Sequence, residues 1–459
     1  MKISPEQQAL AGFAVDTRWE DLPAKVIEGT KLFLMDSVGC GLGGISTDPG
    51  RMIIALAKML GGPEESSIIG VKGKVSCVNA VLANGQLINT LDWESLSGHA
   101  PGYIVPPALA MAERSDASGK DLILSTAIGL ELSGRVAAAL MGAGPFMDIK
   151  ANKIEWAERQ GYAHMNFGVA GVAGRFLNLN KEQMIHALGL AGHMSEVLTW
   201  IRATFQDNRA ITKYGVPGWQ NTGGVMAAFL AEMGAVGDTT VFDTEQGFWK
   251  FAGYVGGWHP ERILDKIGEE WMFFNRLMFK PFPSCRMFQT ETDIFLCLME
   301  RNKLKAEDIA SIKTYGHPTL LEPAFTSREL NSIVDINFSP AYTLAMAAHG
   351  VPCGVDWQDM ELARSPRISD FASRIEYTVH PEFGDNQACR VEITTYDGHT
   401  YQEERGFNSL HAMTEDDLLK KYQHNARRIL TEQQVGKSVE YFQNLEELPR
   451  VSLLTAQIT

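Results

Sequence analysis

The sequence predicts a mostly α-helical protein, in which a large all-helical domain built from both chain ends carries an inserted α+β module. Apolar residues recur at helical spacing from the N-terminus to about residue 265. Alternating, strand-like segments appear within residues 268–408. From Thr414 the pattern is helical again to the C-terminus. The predicted division is therefore a helical domain of residues 1–267 and 409–459, with an α+β domain of residues 268–408 between its two parts.

Capping signals delimit the helices of the first part. Ser4 and Pro5 are followed by Glu6 and Gln7, a capping box with proline at the first helical position. A predicted helix at residues 49–60 stops at two glycines and a proline. A short hairpin is predicted within residues 66–73. The helices predicted after it cover residues 77–90, 104–115, 119–141, 164–177, 181–195, 217–233 and 259–267.

The inserted module mixes both kinds of element. Helices are predicted at residues 289–303 and 334–350. Asp397 and Gly398 predict a hairpin turn. Period-two alternation predicts strands at residues 309–315, 375–380, 388–395 and 400–404.

Charge and cysteine spacing exclude several classes of protein. The net charge is −14, so the chain lacks the basic footprint of a nucleic-acid binder. Its six cysteines show neither zinc-site nor iron–sulfur spacing, so no metal site is predicted. The glycine- and alanine-rich residues 168–174 and 223–228 follow no predicted strand, which indicates close helix packing rather than a phosphate loop. We therefore expect no cofactor.

The sequence gives no indication of a membrane partner. No run of about 18 apolar residues is present. The N-terminal residues lack the apolar core of a secretory signal. Unpaired cysteines fit a reducing compartment, so a cytoplasmic location is expected.

Two polar clusters lie near helix ends in the helical part. The first surrounds Asp92, Glu94 and His99 in a loop rich in glycine, the kind of segment where catalytic groups concentrate. A solvated surface loop is the alternative. The second contains Tyr162 and His164 before a small-residue helix, where either side chain suits an acid or a base. A packed tyrosine and a structural histidine are the alternative there.

Two basic clusters suit the binding of an anion. The first is a set of cations close together in sequence: Arg202, Arg209 and Lys213. Such groups form charge-assisted hydrogen bonds with carboxylates, although a solvated helix face is equally consistent. In the second, Lys280 and Arg286 flank two prolines and Cys285 at the predicted domain junction, a preferred place for ligand pockets. Cys285 has no evident partner for a nucleophilic role.

These clusters, in this order, resemble motifs of the MmgE/PrpD family. The family segment Asn-Gly-x-x-x-His-x-Leu-Asp-Phe-Asp-Asp-Thr, followed by His-Pro-Ser, is similar to residues 84–102. The Gly-Tyr-Glu-x-x-x-Arg helix resembles residues 129–135, and the Lys-x-x-x-x-Gly segment resembles the chain from Lys213. The Lys-Pro-Tyr-Pro-x-Cys-Arg segment is nearly intact at residues 280–286. A C-terminal Lys-Phe is similar to residues 421–422.

The resemblance implies a helical domain with an inserted α+β lid domain, a homodimer without metal, and an active site between the domains. Asp92 and His99 match the family's active-site aspartate and histidine. Lys213 and Lys280 match its two substrate-facing lysines, and Arg286 is expected to bind substrate beside them.

The chain also departs from the family pattern. The Asp-Asp-Thr is replaced at residues 94–96, so the hydroxyl expected near the substrate is lost or passes to Ser95 or Ser97. Tyr162 stands where the family has a histidine, and His164 takes that role if the loop shifts by two residues. The tyrosine resembles the epimerase branch of the family.

The resemblance implies an enzyme that moves a proton next to a carboxylate of a small di- or tricarboxylate. His99, oriented by Asp92, or Tyr162 is the expected base or acid. Lys213 and Lys280 are the expected cations, and their places in two domains make closure complete the site. The first hypothesis is a cofactor-independent lyase, a dehydratase or decarboxylase of an acid such as 2-methylcitrate or cis-aconitate. The alternatives are a two-base epimerase of an iminodisuccinate-like acid and a non-catalytic binding protein.

Overall fold

A computed structural model describes the chain at residues 2–95, 99–140, 146–148, 153–155, 162–195, 212–243, 245–252, 257–316, 318–379, 388–406 and 409–459. At residues 146–148, 153–155, 212–216, 251–252 and 318–319 the description is limited to the backbone. The described chain is mostly helical and its strands form small sheets. This confirms the predicted fold class.

The helices of the first part are α1 (Pro5–Asp16), α2 (Ala24–Gly44), α3 (Asp48–Leu60), α4 (Cys77–Asn89), α5 (Ala100–Arg114), α6 (Gly119–Ala139), α7 (Met165–Phe176), α8 (Lys181–His193), α9 (Thr212–Glu232), α10 (Trp249–Ala252) and α11 (Glu261–Leu264). Strand β1 (Ser66–Ser67) pairs antiparallel with β2 (Lys74–Val75), and β3 (Phe146–Asp148) pairs antiparallel with β4 (Lys153–Glu155). Short 3₁₀ helices along the chain cover Trp19–Asp21, Phe274–Arg276, Arg286–Phe288, Ala306–Asp308, Pro318–Leu321, Val355–Gln358 and Leu445–Glu447.

Local signals explain where these helices begin. The Ser4 hydroxyl accepts a hydrogen bond from the Gln7 amide at 3.3 Å, as the capping box predicts. Helix α5 begins at Ala100 and not at the predicted residue 104. Pro101 is tolerated there because amides of a first helical turn have no partner inside the helix.

Small residues let α6 and α7 approach closely. A Cβ atom on Gly168 would lie 2.1 Å from the Ser133 Oγ atom and 2.3 Å from the Gly129 carbonyl oxygen. Any larger side chain at Gly168 would therefore force the two helices apart. The predicted close packing of this segment is confirmed.

The C-terminal part returns to the helical domain. It contains α18 (Glu415–Ala426), α19 (Glu432–Gln443) and α20 (Ser452–Thr455), numbered after the helices of the inserted module. Leu418 and Phe442 join the same apolar core as Phe33 and Leu34 of α2. Both chain ends therefore build one helical domain.

The inserted module is built around one mixed sheet. Its strands are β5 (Ile309–Gly316), β6 (Ile375–Val379), β7 (Ala388–Thr395) and β8 (Thr400–Gly406), in the order β6-β5-β7-β8. Strands β5 and β6 are parallel, whereas β7 is antiparallel to β5 and β8. Thr394 pairs with Thr400 across the predicted turn, where Gly398 has a φ of 88°. The hairpin prediction is confirmed.

Helices cover this sheet: α12 (Gln289–Arg301), α13 (Pro323–Thr326), α14 (Ile333–Asn337), α15 (Pro340–Ala348), α16 (Met360–Arg364) and α17 (Pro366–Ala372). The helix predicted at residues 334–350 is divided into α14 and α15. Ser339 caps the second helix and Pro340 opens it, a combination that starts a helix rather than continuing one.

The two domains have separate apolar cores. Phe282, Ile294 and Ile312 belong to the core of the inserted module. Trp271 and Phe273 lie after the predicted boundary at residue 268, yet they pack in the helical core. The chain therefore passes between the domains close to Lys280.

A buried ion pair within α6 fastens the segment that leads to the inserted module. The Arg135 Nε atom lies 2.8 Å from the Glu131 carboxylate, and both side chains are inaccessible to solvent. The Arg135 guanidinium also donates to backbone carbonyls between residues 263 and 270. Glu131 accepts hydrogen bonds from the amides of Met272 and Phe273. These contacts fix the chain just before the domain junction.

Helix α6 is also long and apolar enough to cross a membrane, with a mean hydropathy of 1.4 over its most apolar window. That window is 83% buried within the protein. Core helices of globular domains share these properties, so the hydropathy of α6 is weak evidence for a membrane span.

A buried carboxyl in the inserted module predicts a pH-dependent stability. Burial raises the pKa of Glu291 from 4.5 to about 8, against smaller opposing effects of its own amide and the Cys389 thiol. Between pH 4.5 and about 8 the Glu291 carboxyl is protonated in the folded state but ionised in the unfolded state. The fold therefore loses stability progressively as pH rises through this range. We expect Glu291→Gln to raise the free energy of unfolding in urea, more at pH 8 than at pH 5.

Glu300→Gln is the matched control, because Glu300 is exposed on the same helix. A Glu291→Gln variant whose stability follows the pH dependence of the wild type would contradict this account.

Candidate active site

The loop between α4 and α5 meets the chain at Lys280, where the domains join. The Lys280 Nζ atom donates a hydrogen bond of 2.8 Å to the Asp92 carbonyl and also contacts the Asp92 carboxylate. Only 3% of the lysine side chain and 2% of the aspartate side chain are exposed. Burial alone would lower the pKa of Lys280, but the carboxylates of Asp92 and Glu94 outweigh it and raise that pKa. The pair is therefore charged, and it ties the two domains together.

The backbone of this loop is strained at two positions. Asp92 has a φ of 51° and His99 has a φ of 61°, in the left-handed region that residues other than glycine seldom occupy. His99 stands immediately before α5. Strain of this kind concentrates at functional sites because the surrounding structure must enforce it.

His99 is held by Glu94. Its Nδ1 atom contacts the Glu94 carboxylate, whose side chain is inaccessible to solvent, whereas 13% of the His99 side chain is exposed. The carboxylate holds a proton on Nδ1, so Nε2 is the nitrogen that would exchange a proton with a ligand. The sequence analysis expects Asp92 to orient His99. In the structure Glu94 makes this contact, and the Asp92 carboxylate contacts Lys280.

Aromatic rings line the other side of His99. The Tyr162 ring centroid lies 5.4 Å from that of His99, 5.8 Å from Tyr103 and 6.1 Å from His164. Burial raises the pKa of Tyr162, and the nearby positive charge of Arg286 only partly opposes this effect. Burial lowers the pKa of His164 to about 4. At neutral pH Tyr162 is therefore a proton donor and His164 is uncharged.

The segment after Lys280 contributes a solvent-facing cation. Arg286 is exposed, whereas Cys285 is buried and its amide donates a hydrogen bond of 2.9 Å to the Asn337 carbonyl. The guanidinium is close enough to Tyr162 to influence its pKa. The exposed guanidinium of Arg286 can therefore attract an anion from solvent toward Tyr162.

Two family models together match most of the chain. The MmgE/PrpD N-terminal domain matches residues 8–260, and the MmgE/PrpD C-terminal domain matches residues 282–447. The chain belongs to the MmgE/PrpD family. The division between the two matches falls at the junction where Lys280 meets Asp92.

Named relatives in this family align along almost their whole length. Cis-aconitate decarboxylase from Homo sapiens is 24% identical over 462 residues, covering 95% of this chain and 90% of the relative. The enzyme of the same name from Aspergillus terreus is 23% identical over 467 residues, covering 95% and 92%. The one from Mus musculus is 22% identical over 477 residues, covering 99% and 93%.

The structure brings together most of the predicted site residues of this MmgE/PrpD protein. Lys280 contacts Asp92, and ligand atoms of Asp92 and His99 lie within 4.8 Å of each other. The Tyr162 ring lies beside those of His99 and His164, and the charge of Arg286 acts on Tyr162. Three of the predicted residues lie outside the described residues: Ser97, Arg202 and Arg209. Lys213 lies in the first turn of α9, where the description is limited to the backbone.

Two buried charges behind this site were not predicted to belong to it, although Lys421 was matched to the family's C-terminal Lys-Phe motif. Asp36 is the single charged residue in the second half of α2, and Lys421 lies on the core-facing side of α18 with Leu418 and Tyr422. Each was detectable, because a charge at a position that the apolar pattern buries needs a partner. The charge of Glu94 was noted as a departure from the family, but its contact with His99 was not predicted.

The same site carries a prediction about metals. Among the described residues, ligand atoms of Asp92, Glu94 and His99 lie within 4.8 Å of one another, close enough to surround an ion. Lys280 contacts Asp92, and His99 contacts Glu94, so protein groups already compensate these carboxylates. We therefore expect exhaustive dialysis against EDTA to leave the activity of the protein unchanged. Turnover that disappears on dialysis and returns with Zn²⁺ or Mg²⁺ would contradict this expectation.

Proposed function

We propose that the protein is a cofactor-independent lyase of a small di- or tricarboxylate. Decarboxylation of cis-aconitate is the first reaction to test. The observation that carries the proposal is His99, which is fixed at Nδ1 by Glu94 and faces Tyr162, the residue on which the charge of Arg286 acts. The names of relatives that align along nearly the whole chain support the choice of substrate.

Decarboxylation of cis-aconitate releases carbon dioxide and requires the uptake of one proton. The bond from the saturated carbon to its carboxylate breaks, and the electron pair forms a new carbon–carbon double bond. The original double bond shifts its electrons to its far carbon, which lies next to another carboxylate and takes up a proton. His99 supplies that proton through Nε2. Cations stabilise the negative charge that develops before the proton arrives, and the exposed guanidinium of Arg286, whose charge acts on Tyr162, is the cation proposed for this role.

Dehydration of an acid such as 2-methylcitrate would use the same groups, but His99 would accept a proton instead of donating one. His99 then removes a proton next to a carboxylate while water leaves. Tyr162 lies beside His99 and is protonated at neutral pH, so it is the group proposed to donate a proton to the leaving hydroxyl. The two lyase reactions therefore differ in the ligand and in the direction of proton transfer at His99.

The second candidate is an epimerase of an iminodisuccinate-like acid. The facing rings of His99 and Tyr162 favour it, since an epimerase exchanges protons on two sides of one carbon. Burial raises the pKa of Tyr162 and keeps it protonated at neutral pH, so Tyr162 is not available as the second base that an epimerase needs. The lyase is therefore the first proposal.

One experiment separates these functions. The protein is incubated with cis-aconitate, 2-methylcitrate or iminodisuccinate in deuterium oxide, and the acids are followed by proton NMR. A lyase forms a new unsaturated product with release of carbon dioxide or water. An epimerase returns the same acid labelled with deuterium. A protein that changes none of the three acids contradicts the proposal and favours a binding protein, and a His99→Gln sample controls for contaminating enzymes.

We also propose a homodimer, as the resemblance implies. Helix α9 and the turn that follows it present four exposed apolar side chains: Trp219, Met226, Leu230 and, in the turn, Met233. Met233 is 78% exposed, and an apolar face of this kind is typical of an interface. We expect the wild type to be a dimer by light scattering at micromolar concentration. We expect the variant Met226→Glu/Met233→Glu to be a monomer of unchanged thermal stability, and a monomeric wild type would contradict the proposal.

A further inference from the structure

The Lys421 ammonium lies directly behind the Asp92–Lys280 pair. Its Nζ atom donates a hydrogen bond of 2.6 Å to the Trp93 carbonyl and one of 3.2 Å to the Lys280 carbonyl. The same atom lies 2.7 Å from the Asp36 carboxylate. The two carbonyls accept hydrogen bonds from the ammonium, and the Asp36 carboxylate forms an ion pair with it.

The two carbonyls belong to the two segments that carry the active-site groups. Trp93 stands between Asp92 and Glu94, and Lys280 is the residue that pairs with Asp92. The Lys421 Nζ atom also lies 4.8 Å from the centre of the Trp93 ring. One side chain therefore fixes the backbone on both sides of the domain junction.

Asp36 compensates this ammonium inside the protein. Its side chain is 1% exposed and that of Lys421 is 3% exposed. Burial raises the pKa of Asp36, and the charge of Lys421 opposes that rise. The two residues come from α2 and α18, near opposite ends of the chain, so both helices hold the same charge pair.

We propose that Lys421 and Asp36 are a positioning pair for the active site, in which the ammonium holds the Trp93 and Lys280 backbones so that Asp92, Glu94 and His99 keep their arrangement. Both side chains are buried, so they act through the active-site segments that Lys421 holds. The catalytic part of this proposal rests on the proposed lyase function.

The proposal predicts that turnover falls by a similar factor in two variants of different stability. Lys421→Met leaves Asp36 as an unpaired buried charge, so this variant is expected to be less stable. Asp36→Asn/Lys421→Met removes both charges and is expected to recover much of that stability. Both variants lack the hydrogen bonds to Trp93 and Lys280, and a displacement of about 1 Å in a site lowers turnover by about 100-fold.

The experiment compares these two variants with the wild type and with Lys420→Met. Lys420 is the matched control, since its side chain is 69% exposed on the same helix and pairs with Asp416 at the surface. Turnover of cis-aconitate and amide hydrogen exchange of residues 92–95 and 279–282 are measured for each protein. We expect both Lys421 variants to show a roughly 100-fold lower kcat, a smaller change in KM and faster exchange in both segments. Lys420→Met is expected to match the wild type.

A double variant with the kcat and the exchange rates of the wild type would overturn the proposal and leave the pair a role in stability alone. Hydrogen exchange needs no substrate. If the wild type does not turn over cis-aconitate, the proposed function fails for this acid, and exchange that is unchanged in the double variant still overturns the positioning role.

Discussion

His99→Gln is expected to lower kcat for cis-aconitate by about 10²- to 10⁴-fold, the usual contribution of a positioned acid or base. Glutamine keeps a polar side chain of similar size but cannot exchange a proton at neutral pH. Glu94→Gln is expected to lower kcat as well, because an amide at Nδ1 no longer fixes which nitrogen of His99 carries the proton. Steady-state kinetics of the folded variants measure both effects.

His193→Gln is the matched control for these variants, since the His193 side chain is 69% exposed at the surface. A His99→Gln variant that retains the kcat of the wild type would remove this histidine from the mechanism. A Glu94→Gln variant with full activity would leave His99 in place but would refute the role of Glu94.

Lys280→Ala is expected to lower the free energy of unfolding by about 3–5 kcal/mol, because it leaves the Asp92 carboxylate buried without its cation. Turnover should fall with it, since the lysine ties the inserted module to the loop that carries His99. Urea denaturation and a double-mutant cycle with Asp92→Asn measure the coupling between the two residues. The variant Asp92→Asn/Lys280→Ala is expected to be more stable than Lys280→Ala and equally inactive.

An exposed lysine gives the comparison for this cycle. Lys266→Ala removes a side chain that is 55% exposed and pairs with Glu270 at the surface, where ion pairs contribute about 0–1 kcal/mol. Equal stabilities of the Lys280→Ala and Lys266→Ala variants would show that the Asp92–Lys280 pair is not the buried contact described above.

Several features of the fold could be predicted from the sequence because they depend on local signals. The cap at Ser4 and the turn at Gly398 each follow from the residues at one position. The predicted start of α5 at residue 104 is too late, because Pro101 lies in the first turn of the helix, where a proline is compatible with a helix. The predicted helix at residues 334–350 is broken between α14 and α15, because Pro340 begins a new helix there.

The site could be predicted as a set of residues but not as a set of contacts. The polar loop and the proline-flanked segment after Lys280 are visible in the sequence, and the structure places both at the domain junction. Which carboxylate meets which cation depends on the path of the loop after α4, where Asp92 and His99 adopt left-handed backbone angles. Periodicity carries no information about such angles, so the partners of His99 and Lys280 required the structure.

The central claim is that a small tricarboxylate binds at the domain junction with its reacting carbon beside His99. The most direct test is a crystal structure with tricarballylate, the saturated analogue of cis-aconitate. The account predicts that the ligand lies at the opening between the domains, with one carboxylate against the Arg286 guanidinium and its carbon chain within about 4 Å of the His99 Nε2 atom. Tricarballylate bound away from this junction, or bound there without approaching His99, would contradict the account.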